Sequence, residues 1–206
     1  MPSFMKRLVQ AGKALLQRVG DKISELTQYV AVPVPLQRAS GPKEMTLDLP
    51  GYRQIDSYSC GAIAGAMVVR YLRPTISFER IYRAIDPRKV TGAGYGRVMR
   101  GLRSLGVGVT WRKDLNFAAI CQAIDAGRPV IACMKTIHDD IDHWTVIYGY
   151  GRRPNLVFVA GRGMHFMPVQ RMKWPEFRKQ WTPPGEGLVC WKADTRKTTS
   201  RTVKKK

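Results

Sequence analysis

The chain lacks several patterns that would identify its chemistry directly. None of its four cysteines forms a C-x-x-C pair, so the usual zinc and dithiol redox spacings are missing. The glycine-rich stretch "TGAGYG" (91–96) does not follow a predicted strand and is not followed by Gly-Lys-Ser/Thr, so it is not a phosphate-binding loop. No apolar run approaches the roughly 18 residues of a membrane span. The sequence therefore predicts neither a nucleotide loop nor a transmembrane helix.

Acidic residues are also scarce. The 206 residues include 15 Asp and Glu against 35 Lys and Arg, which gives a formal net charge of +20. Such a surface attracts phosphate groups, anionic lipid or acidic proteins, and salt weakens the attraction. No helix-turn-helix or zinc-finger pattern is present, so a role in nucleic-acid binding rests on charge alone. Non-specific contact with nucleic acid, through the basic surface and the tail, is one expected partnership.

The first 30 residues have the pattern of a basic amphipathic helix. Apolar residues recur every three or four positions, and most of the cations fall off that stripe. The stripe can pack on the main domain, lie on an anionic membrane surface through residues 4–30, or serve in organellar targeting. Lys13, Gln17 and Arg18 interrupt any secretory h-region. We therefore expect a cytoplasmic protein that can attach peripherally to a membrane.

The remaining composition predicts one domain with a linker and a tail. Residues 31–44 contain three prolines and are typical of an extended linker. A chain of this length suits one domain with a real core, predicted at residues 45–193. The last segment, 194–206, is basic and nearly free of apolar residues, so it is predicted to be a disordered tail.

Within the domain, helical patterns precede strand patterns. Helices are predicted from about Cys60 and at 77–85, 96–106, 115–127 and 172–181. Strands are predicted at 107–112, 128–135, 143–150 and 156–161, with two more in "HFMPVQ" and "GLVCWKA". A helical half followed by an antiparallel sheet is an α+β arrangement.

Cys60 occupies a position that suits a nucleophile. Only the thiolate is a good nucleophile, and a free cysteine has a pKa of about 8.5. The first turn of a helix favours the anion through its free N–H groups and dipole, so we expect a lowered pKa for Cys60. Gly61 would let a substrate backbone approach closely. The other three cysteines, Cys121, Cys133 and Cys190, are expected to be reduced and mostly buried.

Acyl chemistry at Cys60 needs a base and an oxyanion site. Of the three histidines, His143 begins the predicted strand "HWTVIYGYG", whereas His138 and His165 lie in loops. Gln54 precedes Cys60 by six residues and can supply a side-chain amide, beside the backbone N–H of Cys60, for the oxyanion. Cys60, His143 and Gln54 are therefore the candidate catalytic residues.

These motifs together resemble a known family. "QIDSYSCGAIAGAMVVRYL", "GRPVIACM", "HWTVIYGYG" and "LVFVAG" are similar to the papain-like cysteine peptidases that process double-glycine leader peptides in bacterial peptide exporters. Gln54, Asp56, Cys60 and Gly61 match the family's cysteine motif, and His143 matches its histidine strand. The resemblance implies a papain-like cysteine peptidase fold, thiol chemistry and no metal or cofactor.

The resemblance covers part of the chain and does not carry over the whole role of the family. It runs from about Leu49 to Trp181, and Gly149 matches the terminal glycine of the histidine strand. No transporter segment accompanies the domain here, so a leader-peptide role does not carry over. The domain is expected to be free-standing.

One residue of the family pattern is missing. In the family an aspartate ends the strand after the histidine strand and orients the imidazole. That place falls on Ala160 or Gly161, whose side chains cannot accept a hydrogen bond. Asn155 lies at the other end of the strand. Three aspartates close to the histidine in sequence are candidate substitutes: Asp139, Asp140 and Asp142.

Three functions remain open on these residues. The first is a thiol peptidase that cleaves a peptide or protein through Cys60 and His143. The second is a papain-fold acyltransferase or amidase, in which an amine intercepts the thioester. The third is a weakly active or inactive peptidase-like binding module with a basic surface. The run "HDDIDH" also contains metal-ligand residue types, but they crowd one loop and no further ligands accompany them.

Overall fold

The computed structural model describes residues 32–54, 56, 58–135, 142–161 and 169–194. Its helices are α1 (Cys60–Leu72), α2 (Phe78–Ile85), α3 (Tyr95–Ser104), α4 (Phe117–Asp125) and α5 (Trp174–Gln180). Its strands are β1 (Val32–Val34), β2 (Glu44–Thr46), β3 (Gly51–Arg53), β4 (Val107–Arg112), β5 (Val130–Lys135), β6 (Asp142–Gly151), β7 (Leu156–Ala160), β8 (Val169–Lys173) and β9 (Gly187–Lys192).

The principal sheet is antiparallel and has strand β6 near its centre. The strand order is β4–β9–β5–β6–β7–β8, and β2 also pairs with β6. Strand β5 pairs with the first half of β6, from 142 to 147, and β2 pairs with its last three residues. Strand β7 pairs with the other edge of β6. The predicted α+β architecture, with three helices before a mostly later sheet, is confirmed.

Local sequence signals explain where the helices begin and end. The side chain of Ser77 accepts a hydrogen bond from the backbone N–H of Arg80, which caps the start of α2. Asp86 ends that helix in the left-handed conformation. Asn116 caps α4 in the same way, through the N–H of Ala119. These caps fix the helical borders that the sequence predicted to within a few residues.

Helix α1 is the buried helix of the domain. Ten of its 13 residues are buried, among them three alanines and two glycines. Small side chains let neighbouring elements approach its axis closely, and α1 packs against α2, α3 and β6. The helix that carries Cys60 is therefore held inside the fold, and its first residue is partly exposed.

The proline-rich segment differs from the predicted linker. Residues Val32–Val34 form β1, which pairs antiparallel with β3. The predicted boundary near Met45 falls inside β2, which pairs with β6. The side-chain hydroxyl of Thr46 accepts the N–H of Ala39, and Asp48 forms an ion pair with Arg38. From residue 32 onward the segment is thus attached to the domain, because its backbone groups pair with strands.

Two predicted segments lie outside the described residues. These are the amphipathic helix at 1–30 and the basic tail, apart from Asp194. Within the described ranges, no helix combines the length and apolarity that crossing a membrane requires.

Gly101 provides a test of the packing between α2 and α3. A Cβ at this position would lie 2.6 Å from Ile85 Cγ1 and 2.9 Å from both the carbonyl oxygen of Ala84 and the Cα of Ile85. Backbone atoms cannot move aside cheaply, so Gly101→Ala should lower the free energy of unfolding by about 1–3 kcal/mol. Urea unfolding would measure the change.

Gly96→Ala is the matched control in the same helix. The nearest atom to its Cβ is the terminal Nη1 of Arg100, at 3.6 Å. Alanine is favoured over glycine inside a helix by roughly 0.5–1 kcal/mol, so this variant should be at least as stable as the wild type. Equal losses in both variants would contradict the packing described here.

Candidate active site

The thiol of Cys60 lies at the free amino end of α1. Cys60 is the first helical residue, and the side chain of the preceding Ser59 makes no capping hydrogen bond. The first turn holds no acidic residue. The N–H groups of this turn are therefore open toward the thiol. The N–H groups of Cys60 and Gly61 favour the thiolate of Cys60.

Strand β6 reaches the same sulfur. The backbone N–H of Trp144, the residue after His143, faces the thiol and favours its anion. The indole of Trp144 packs on the start of α1, where a Cβ at Gly61 would lie 3.2 Å from Trp144 Cδ1. The indole N–H donates to the carbonyl of Ala93 at 2.7 Å. The beginning of β6 is thus fixed against the helix end that carries Cys60.

Burial decides the ionisation of Cys60. Loss of water around the sulfur raises the pKa of the thiol, and the N–H groups of Trp144 and Gly61 offset only part of that effect. The carboxylate of Asp56 raises the pKa further by charge repulsion. The expected lowered pKa is therefore not found, because desolvation outweighs the helix amino terminus. Burial thus favours the thiol form of Cys60 over the thiolate.

The other three cysteines are enclosed, as the sequence predicted. Cys121, Cys133 and Cys190 are buried, and burial raises the pKa of each thiol. All four cysteines are free thiols. Cys60 alone among them is partly exposed, so it is the thiol that a reagent can reach.

Gln54 is held beside the cysteine loop by Asp56. The amide nitrogen of Gln54 donates to the backbone carbonyl of Asp56 at 2.6 Å and lies 3.5 Å from Asp56 Oδ1. The same Oδ1 accepts the backbone N–H groups of Tyr58 and Ser59, at 3.0 and 2.7 Å. Gln54 itself is only 4% exposed. Asp56 therefore ties Gln54 to the residues directly before Cys60.

The imidazole of His143 is oriented by a backbone carbonyl. His143 is buried, and its Nε2 forms a hydrogen bond with the carbonyl oxygen of Gly161. A carbonyl oxygen can only accept, so Nε2 must carry the proton. In the neutral ring, Nδ1 then holds the lone pair and is the basic nitrogen.

The acid that the resemblance implies falls on Ala160 or Gly161. The φ of +92° at Gly161 favours glycine, and a Cβ there would contact Met67 of α1 at 3.4 Å. Ala160 is completely buried, so a carboxylate in its place would enter the core. The main chain at Gly161 supplies the acceptor that neither side chain can supply.

The other candidate acids occupy different places. Asn155 lies in the turn between β6 and β7, at the end of β6 far from His143. Asp142 is the exposed first residue of β6. Burial is the main cause of the raised pKa of Cys133 and of Tyr95, and the charge of Asp142 adds to it. Asp139 and Asp140 lie outside the described residues. Of the "HDDIDH" run only Asp142 and His143 are described, and the described ranges contain no cluster of three or more metal-ligand side chains.

Two features of the site differ from the sequence expectation or escaped it. Gly61 is buried, and a Cβ there would lie 3.2 Å from Ala93 Cβ, Trp144 Cδ1 and Val98 Cγ2. Gly61 serves close packing, not the approach of a substrate as we expected.

The contacts of Trp144 were missed because a backbone N–H leaves no mark in a sequence. Its aromatic identity was the only available signal, and its ring packs edge-on against Tyr95.

Comparison with known proteins gives one family and several similar folds. The model of the family described as "Peptidase_C39 like family" matches residues 46–186. No curated protein matches the chain. The peptidase domain of Streptococcus ComA, a bi-functional ABC transporter involved in a quorum-sensing pathway, is 20% identical, with a TM-score of 0.55. That match covers 68% of this chain and 95% of the ComA domain.

Two further structures have a similar fold. A double-glycine-motif protease from an AMS/PCAT transporter, solved in complex with the leader peptide, is 16% identical, with a TM-score of 0.54. The match covers 78% of this chain and 97% of the protease. A protein described as a C39-like peptidase from Bacillus anthracis is 14% identical, with a TM-score of 0.57 and coverage of 74% and 99%. The predicted papain-like peptidase fold is confirmed.

Replacement of Asp56 by asparagine should make Cys60 more reactive. The asparagine would keep the Oδ1 acceptor for the N–H groups of Tyr58 and Ser59 but would lose the charge that raises the Cys60 pKa. The iodoacetamide alkylation rate of Cys60 should rise with pH along a curve displaced to lower pH. Because this charge is a minor cause beside burial, the displacement should be small. Peptide mass spectrometry would follow each cysteine.

Asp114→Asn serves as the control for this experiment. Asp114 is exposed and pairs with Arg112. This variant removes the same charge at a residue that does not contribute to the pKa shift of Cys60. An unchanged pH profile in Asp56→Asn, or labelling led by Cys190, would contradict the assignment.

Proposed function

The chain belongs to the peptidase C39-like family, and on this premise we propose that it is a thiol peptidase that cleaves a peptide or protein substrate. Cys60 is the nucleophile, His143 is the base, and Gln54 with the backbone N–H of Cys60 holds the oxyanion. One observation carries the proposal. The sulfur of Cys60 faces the backbone N–H that directly follows His143, whose ring is already oriented by Gly161.

The tautomer of His143 defines the direction of proton transfer. With Nε2–H donated to Gly161, the lone pair at Nδ1 takes the thiol proton. The sulfur then attacks the substrate carbonyl, and the developing oxyanion is stabilised by N–H donors. Collapse of this intermediate forms a thioester and breaks the peptide bond, while Nδ1 returns its proton to the departing amine. Water hydrolyses the thioester.

The electrostatics of the site make the base necessary. Burial favours the thiol form of Cys60, so the thiol depends on His143 to generate the nucleophile. The carbonyl of Gly161 orients the ring but carries no net charge. It therefore stabilises the imidazolium less than a carboxylate would. We expect slow turnover by the chain alone.

A peptide substrate is favoured by a similar protein and by the site's donors. The double-glycine-motif protease was solved with a bound leader peptide. In this chain the Gln54 amide has two N–H groups, and the carbonyl of Asp56 engages one of them at 2.6 Å. The same nitrogen makes only a long, 3.5 Å contact with Asp56 Oδ1, so in this proposal a substrate oxygen replaces Oδ1 as the acceptor of the second N–H. This supports acyl chemistry on a peptide carbonyl.

Acylation by an activated ester would test the proposal. A p-nitrophenyl ester should acylate Cys60, and intact-protein mass spectrometry should detect the thioester. Cys60→Ala should abolish the adduct, and His143→Gln should slow its formation by about 10²-fold or more, the usual contribution of a general base. Cys121→Ala, which removes a buried thiol, is the matched control and should acylate normally.

The fate of the thioester separates the alternative functions. Hydrolysis in water identifies a peptidase, and acceleration by added amine with transfer of the acyl group identifies an acyltransferase. If Cys60 is acylated no faster than in the urea-unfolded chain, the protein is a binding module on a peptidase fold. If the thioester is hydrolysed, cleavage of a peptide library would reveal the sequence preference of the peptidase.

We also propose that the amphipathic segment attaches the protein to anionic membranes. The support is the basic, apolar-striped sequence of residues 4–30. A shortened chain that begins at Val32 should lose most binding to phosphatidylglycerol vesicles. It should keep its stability, because β1 and β2 are retained. Vesicle sedimentation at two salt concentrations would measure binding. A large fall in stability would instead show that the stripe packs on the domain.

A further inference from the structure

A cationic cleft lies at the end of β6 opposite His143. It has a volume of about 280 Å³ and lies between the segment before β2, the turn between β6 and β7, and β8. Gly151, which lines it, follows His143 by eight residues. At about 3.4 Å per residue this is roughly 27 Å along the strand. The cleft is therefore separate from the candidate active site.

Positive charge dominates the lining of this cleft. Its four cationic side chains face a single carboxylate, that of Glu44; they are Lys43, Arg152, Arg153 and Arg171. Glu44 is already engaged, because it forms an ion pair with Arg171 and accepts hydrogen bonds from the N–H and hydroxyl of Ser40. Asp125, outside the lining, is a second acid near Arg152, but two acids cannot neutralise four cations, so the cleft keeps a positive potential.

Two of the arginines are held in place without a ligand. Arg171 pairs with Glu44, whose side chain is only 8% exposed, and its guanidinium lies 5.4 Å from the ring centre of Phe158. Arg152 lies 5.2 Å from the ring centre of Tyr150 and 3.7 Å from Asp125. Groups that are already ordered lose little conformational entropy on binding. The cleft thus has fixed donors for an anion.

The other two cations lack acidic partners in the part of the chain that the structure describes. These are Lys43 and Arg153. Arg153 also has a φ of +78°, a conformation that side chains other than those of Gly, Asn and Asp seldom adopt. Such a conformation costs free energy, so the turn holds the backbone of Arg153 in place.

We propose that this cleft binds a small ligand bearing phosphate groups. Guanidinium groups match phosphate oxygens with paired N–H donors, and the excess of cations suits a ligand with more than one negative charge. Pro42, Pro154 and Leu156 add an apolar part to the lining, which can accept a carbon skeleton. The proposal is independent of the chemistry at Cys60.

Calorimetry with inorganic pyrophosphate would test this site. The full chain should bind it at a saturable site in buffer of fixed ionic strength. A second titration with sn-glycerol 3-phosphate distinguishes the source of the phosphate. Binding of glycerol phosphate at least as tight as that of pyrophosphate assigns the site to a lipid headgroup, and preference for pyrophosphate assigns it to a free phosphate compound.

Arg153→Asn is the decisive variant. Asparagine tolerates positive φ, so the fold should remain as stable as the wild type or become more stable, which thermal unfolding would check. Loss of a charge-assisted contact should weaken pyrophosphate binding about tenfold or more. Lys43→Gln should weaken it in the same direction.

Arg100→Gln is the control of equal charge loss. Arg100 is exposed on α3, away from the cleft. It should leave the affinity within about twofold of the wild type, because distant exposed charges are screened by salt. The proposal is overturned if pyrophosphate does not bind saturably, or if Arg100→Gln weakens binding as much as Arg153→Asn does.

Discussion

The pairing of strand β6 on both edges is the constraint on which the site depends. Strand β5 and then β2 occupy one edge, and β7 occupies the other. Residues 142–145 pair with β5, and pairing with β7 begins at Val146; a shift of one residue in this register would exchange the two faces of the strand. Its first residues therefore present the N–H of Trp144 to the sulfur and the ring of His143 to Gly161. The pairing of β6 thus places the residue after His143 beside the sulfur of the proposed nucleophile.

The acceptor that orients His143 is a neutral backbone carbonyl and not a carboxylate. The carbonyl of Gly161 performs the orienting part of a carboxylate's role, because it selects the tautomer with Nδ1 unprotonated. It does not perform the charge-stabilising part. Thiol chemistry tolerates this better than hydroxyl chemistry does, since a thiol is far more acidic. The positive φ of Gly161 is compatible with this arrangement, which leaves the acceptor on the main chain.

The sequence predicted the elements of the fold well because their signals are local. Apolar periodicity, the cap at Ser77 and β-branched runs each act within a few residues, and α1 begins at Cys60 as expected. The sign of the Cys60 pKa shift was wrong because desolvation depends on everything packed around the sulfur. The role of Gly161 was invisible because the acceptor is a main-chain atom that every residue carries. The proline-rich segment was misread because its partners, β3 and β6, are distant in sequence or separated by a turn.

Several of the few carboxylates that the structure describes have a recognisable structural role. Asp56 holds the loop before Cys60, Glu44 holds Arg171, and Asp86 closes α2 and pairs with Arg97. Acids engaged in this way neutralise their immediate partners and little else. The cations in excess among the described residues, such as Arg153, therefore keep their charge unpaired by an acid. The net charge of +20 attracts anions from a distance, before any contact forms. The chemistry proposed at Cys60 and the anion binding proposed at the cationic cleft thus depend on separate sets of residues at opposite ends of β6.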